Sequence, residues 1–105
     1  IQITGGHCGE AYFMDPNHPD GLAARRALKE VFGCEPSLMR EGGSIPIVTT
    51  FKNILGADSL LLALASPDCC AHSPNENFPI ENFHTGIRLH QAVLRELGKA
   101  QELPL

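Results

Sequence analysis

The run "SLLLALA", Ser59 to Ala65, constrains this chain more than any other stretch. It carries no polar alternation, as expected of a strand that is covered on both faces. It is far shorter than the roughly 20 apolar residues a membrane span requires, so a buried strand is the better reading. Two further segments read as strands: the β-branched opening "IQIT" and the short "PSLMRE". Helical patterns alternate with them, and that alternation is the mark of an α/β layered sheet. Yet 105 residues make one domain at most, and three short strands do not complete such a sheet. The fold class predicted is therefore α/β with an incomplete sheet, part of a larger domain.

Helix boundaries are well signalled. Asp20 is a candidate cap for a helix whose apolar stripe is Leu22, Leu28, Val31 and Phe32, with Gly33 just past its end. Pro46 suits the first turn of a second helix, which would run through Phe51, Ile54 and Leu55 and stop at Gly56. A third carries Ile80, Phe83, Ile87, Leu94 and Leu97 at helical spacing and would end at Gly98.

Composition excludes some partners. Net charge is −4 and the sequence pI is near 5.6. Nucleic acid and anionic membrane surfaces both demand a basic face, so neither is expected. The cysteines Cys8, Cys34, Cys69 and Cys70 match no zinc-finger or zinc-ribbon spacing. An adjacent pair such as Cys69–Cys70 rarely forms a disulfide with itself, because the geometry is strained. No signal-peptide pattern is visible, and reduced thiols in a cytosolic protein are expected.

In open α/β sheets, ligands gather beyond the carboxyl ends of the strands. Two loops leave strand ends here, "EGGSIP" and "SPDCCAHSPNE". Gly42 and Gly43 remove side chains just before a helix start, and Ser44 adds a hydroxyl, which together suit a carboxylate or phosphate. The same residues also suit a plain Gly-rich turn with a serine cap. His72, in a tight polar turn, is either a metal-aimed imidazole or a histidine satisfied by backbone hydrogen bonds. Glu76 either orients it or caps the final helix. A thiol nucleophile at Cys69 or Cys70 beside His72 is a third reading of that loop.

Two motifs in order shift these weights. "REGGSIPI" followed by "LASPDCCAHSPNE" and "NFHTGI", with "HPDGLAARRALKEVFGCEP" ahead of them, resembles the C-terminal part of M20-family metallopeptidases. The nearest branch is the carnosinase-like, cytosolic non-specific dipeptidase group. The resemblance implies a zinc-peptidase three-layer α/β catalytic domain interrupted by a lid or dimerisation domain. Residues 1–14 would end the lid, and residues 15–105 would be the returning catalytic segment.

It further implies two zinc ions bridged by water and an aspartate, with manganese or cobalt as alternative metals, and a glutamate as general base. His72 matches the family's metal-ligand histidine. Ser44, with Gly42 and Gly43, matches its substrate-contacting loop, and Arg40 matches a structural or substrate-proximal position. No catalytic residue of the family falls within this chain, so it is expected to be inactive alone. The whole protein would be a cytoplasmic homodimer, joined through its lid, that hydrolyses dipeptides or small peptides. The alternatives are an N-acyl amino acid amidohydrolase of the same family and a non-catalytic binding module derived from it. The paired cysteines depart from the family, which often has an acidic or amide residue there.

Overall fold

A computed structural model describes residues 1–3, 5, 9–41 and 45–101, the last two by their backbone alone. Helix α1 spans Pro19–Phe32, α2 spans Pro46–Thr50 and widens into a π-helical turn over Phe51–Leu55, and α3 spans Ile80–Gln101.

Helix α1 starts two residues earlier than a cap at Asp20 implies. His18, not Asp20, is the cap: its Nδ1 accepts the Asp20 N–H at 3.3 Å, and Pro19 fills the first position, where an N–H is not needed. Asp20 instead sits in the first turn, where its charge favours the helix's positive end. Gly33 closes the helix at φ 73°, its N–H on the Lys29 carbonyl, and Gly56 ends the second helical stretch likewise.

The core lies between α1 and α3. Ala27, Leu89, Ala92 and Val93 are buried together, and Leu28, Val31, Leu60, Leu62, Leu64 and Leu97 pack around them. The expected leucine stripe of α1 is only partly right. Leu22 and Phe32 are exposed, and the buried positions are Gly21, Ala23, Ala24 and Ala27. Small side chains let the two helices approach closely, and Leu89 of α3 fills the space at 0% exposure. Its burial contributes about 2 kcal/mol.

Ionic contacts border this seam. Arg26 Nε donates to Glu96 Oε2 at 2.7 Å, Lys99 Nζ to Glu96 Oε1 at 2.6 Å, and Arg95 donates to both oxygens of Glu30. Glu96 is buried between its two cations, whose hydrogen bonds hold its carboxyl down at about 2.

Helix α3 also departs from expectation. It continues through Gly98 to Gln101, because one helical glycine costs only about 1 kcal/mol. Its packed face carries Leu89, Ala92, Val93 and Glu96, whereas Ile80, Phe83, Ile87 and Leu94 are exposed. With Leu64 and Phe78, three of these four line an apolar hollow of about 400 Å³.

The strands are the main correction. Among the described residues no segment pairs as a β-strand. Ser59–Ala65 is extended, and its burial alternates: Leu60, Leu62 and Leu64 face the helices, while Leu61, Ala63 and Ala65 face outward. A strand exists only with a neighbour to accept its hydrogen bonds, and no such neighbour lies alongside among the described residues. "PSLMRE" likewise has no strand partner among the described residues, and "IQIT" falls partly outside them.

No helix among the described residues is long and apolar enough to cross a membrane.

Candidate functional site

The extended segment ends where the loop "SPDCCAHSPNEN" begins. Asn82, in the first turn of α3, fixes that junction: its Nδ2 donates to the Leu64 carbonyl at 2.7 Å and toward Ser66 Oγ at 3.4 Å. Gly86, one turn on, leaves room for the Leu64 methyl, which would lie 2.8 Å from a Cβ there.

From this junction the loop folds as linked turns. The Cys69 N–H bonds the Ser66 carbonyl, the Ser73 N–H and hydroxyl both reach the Cys70 carbonyl, and the Glu76 N–H reaches Ser73. The ends close when the Asn77 N–H donates to the Cys69 carbonyl at 2.9 Å. Within this ring Cys70, His72 and Asn75 adopt φ of 54°, 60° and 66°. Left-handed backbone is readily reached by asparagine and histidine but is unusual for cysteine. Each such residue costs on the order of 1 kcal/mol and persists only where surrounding bonds over-determine it. Strain of this kind gathers at functional sites.

His72 sits at the tip and is exposed. Its main-chain N–H lies 3.5 Å from Glu76 Oε1. Glu76 therefore turns back to the loop rather than capping α3, whose first-turn Asn82 N–H is accepted by the Pro79 carbonyl. Among the described residues the imidazole has no hydrogen-bond partner.

The alternative in which backbone hydrogen bonds satisfy this ring finds no support among the described residues. A neutral imidazole on a pinned turn fits the chemistry of one metal donor. It does not make a metal site: no group of three or more His, Cys, Asp or Glu is gathered for one among the described residues. Half-buried Cys69 and exposed Cys70 thus add no donor set.

The second loop is described only at its edges. Gly42, Gly43 and Ser44 lie outside the described residues. Arg40, just before them, places its guanidinium 5.1 Å from the centre of the Phe13 ring. A cation over an exposed ring is worth about 0.5–1 kcal/mol. Arg40 thereby ties "AYFM" to the entry of the Gly-rich loop. Tyr12 makes a second tie: its oxygen accepts the Ser59 N–H at 2.7 Å and lies 3.3 Å from Asp58 Oδ1. Asp58 is also held by Lys52 at 2.7 Å, whose hydrogen bond lowers its pKa.

Sequence reasoning passed over Asn77, Asn82 and Tyr12. Their one signal was polar residue type beside turns and apolar runs, which marks many positions that bind nothing.

Comparison with known proteins identifies a family for the chain. Residues 1–96 match the family described as Peptidase family M20/M25/M40. Over 96 residues the chain is 40% identical to the Cys-Gly metallodipeptidase DUG1 of Saccharomyces cerevisiae, covering 91% of this chain and 20% of that protein. It is 37% identical over 78 residues to the Beta-Ala-His dipeptidase of Homo sapiens, covering 74% of this chain and 15% of the relative. A solved structure of the di-peptidase Dug1p from Saccharomyces cerevisiae superposes with a TM-score of 0.80 at 39% identity, over 92% of this chain and 20% of that one. The chain thus spans about a fifth of the length of these Saccharomyces cerevisiae relatives.

Proposed function

The chain belongs to peptidase family M20/M25/M40, and from that premise we propose that it is the C-terminal segment of a metallodipeptidase. One observation carries this reading. The family match includes the loop that presents the exposed His72 on left-handed backbone, a conformation of the kind that clusters at ligand sites.

In the proposed enzyme the chain supplies one metal-binding imidazole, from His72. The remaining ligands and the general base come from other parts of the polypeptide. The bound metal pair, zinc in the first instance and manganese or cobalt as alternatives, supplies Lewis-acid activation of water. The residues of this chain orient and hold. The loop over 69–77 fixes the imidazole, while Gly42, Gly43 and Ser44 receive the substrate's polar end with backbone N–H groups and a hydroxyl. Arg40, braced on Phe13, directs the chain into that loop.

The substrate class is a dipeptide or small peptide. The relatives named for Cys-Gly and Beta-Ala-His cleavage favour this over an N-acyl amino acid. The reading takes residues 1–14 as the end of a lid domain and 15–105 as part of an α/β catalytic domain. In that domain Leu61, Ala63 and Ala65 gain their second cover and the extended segments gain strand partners. A cytoplasmic homodimer joined through the lid extends the proposal on family resemblance alone.

The test is dipeptidase activity of the full-length gene product with and without a chelator, beside the 105-residue chain. Chelator-sensitive cleavage by the long form alone supports the reading. A long form that cleaves peptides regardless of chelator overturns it.

A further inference from the structure

We infer that Asn77 is a positioning residue for the His72 imidazole, acting through its side-chain amide as a clasp across the loop. The inference rests on the reading of His72 as a metal donor.

Asn77 Nδ2 donates to the Asp68 carbonyl at 3.3 Å and to the Asn75 carbonyl at 3.2 Å. These acceptors stand on opposite limbs of the loop, one before the cysteine pair and one after His72. An amide NH₂ has two donor hydrogens and can serve both at once. The backbone N–H of the same residue closes the ring on Cys69. Asn77 therefore makes three of the bonds that keep Cys70, His72 and Asn75 in left-handed backbone. The other contributors are shorter in reach: Ser73 bonds Cys70, and Glu76 meets the His72 N–H at 3.5 Å. Released from the clasp, a left-handed cysteine and histidine relax toward ordinary backbone and carry the imidazole off its line.

The chemistry of the position makes a clean test. Asn77→Asp preserves shape but removes both donors and sets a carboxylate against two carbonyl oxygens. Asn77→Ala removes the donors without adding charge. Both are made in the full-length protein beside His72→Ala. Zinc affinity is measured by chelator competition, and hydrogen exchange of the 66–77 amides by mass spectrometry on the metal-free form.

The expected result is zinc affinity 10- to 100-fold weaker in Asn77→Asp, the range seen when a ligand's supporting contact is lost. Asn77→Ala shifts it in the same direction and less, and exchange in the loop is faster in both. Wild-type zinc affinity in Asn77→Asp and Asn77→Ala overturns the inference, whatever happens to the melting temperature, because a merely structural residue lowers stability alone. If His72→Ala leaves zinc affinity unchanged, the donor reading falls by itself. Loop exchange then decides separately whether Asn77 holds the backbone of His72, and wild-type exchange overturns that too.

Discussion

The guanidinium of Arg26 and the carboxylate of Glu96 meet at 2.7 Å across the seam between α1 and α3, with Lys99 on the other carboxylate oxygen. These contacts fix the register of the two helices that carry the chain's core. They also make the seam acid-sensitive. The Glu96 carboxyl is lowered from an ordinary 4.5 to about 2, first by the Arg26 hydrogen bond and then by that of Lys99. A depressed carboxyl contributes stability that is present above its unfolded pKa and lost as pH falls through the folded one. The contribution should fade between about pH 4.5 and 2. Glu96→Gln should lower the melting temperature at pH 7 and converge on wild type near pH 2. A constant difference across that window would contradict the assignment.

Among the described residues Leu89 is the largest fully buried side chain. Leu89→Ala should destabilise by about 2–4 kcal/mol in urea titration, the cost of lost transfer energy plus a cavity that the helices only partly close. A loss below about 1 kcal/mol would mean that the seam collapses freely.

Two buried glycines should respond differently to alanine. At Gly21 a Cβ would meet the Pro16 carbonyl oxygen at 2.7 Å, and backbone cannot yield cheaply. Overpacking of about 1–3 kcal/mol should exceed the gain of about 1 kcal/mol in helix propensity. At Gly86 the obstacle is the end of the Leu64 side chain at 2.8 Å, which can turn aside. There the two terms offset one another, and the change should be near zero. Equal effects at both sites, read by thermal melting, would refute the distinction.

The exposed thiol of Cys70 and half-buried Cys69 flank His72 without forming a donor cluster. The double variant Cys69→Ser, Cys70→Ser of the full-length protein should keep dipeptidase activity within about threefold, under half of the 1.4 kcal/mol that a tenfold change represents. Loss of activity together with indifference to chelator would instead restore the thiol-nucleophile reading.

What the sequence could say about this fold divides along physical lines. Pro46, Gly33 and Gly56 are local signals, since a missing N–H or a positive φ is a property of one residue, and each lies where it was expected. Packing is relational, and there the reading faltered. Leu22 and Phe32 are more apolar than Ala23 and Ala27, yet close helix approach buried the alanines. Helix α3 bears two apolar faces, and its spacing alone does not tell which one meets α1. The strand at Ser59–Ala65 was legible as extended but not as paired, because pairing belongs to a neighbour. At the candidate site the polar turn that carries His72 was legible from its serine, proline and asparagine. Asn77 was not, because its role depends on carbonyls that only the folded loop brings within reach.

The measurement that tests the account most directly is the metal content of the full-length protein beside its His72→Ala variant, each purified, dialysed against trace zinc and analysed by mass spectrometry for bound metal. The account predicts about two zinc ions per wild-type chain, as expected of a dizinc centre, and a clear loss in the variant with its fold retained. Equal metal in the two proteins, or none in either, would contradict the assignment of His72 as a ligand.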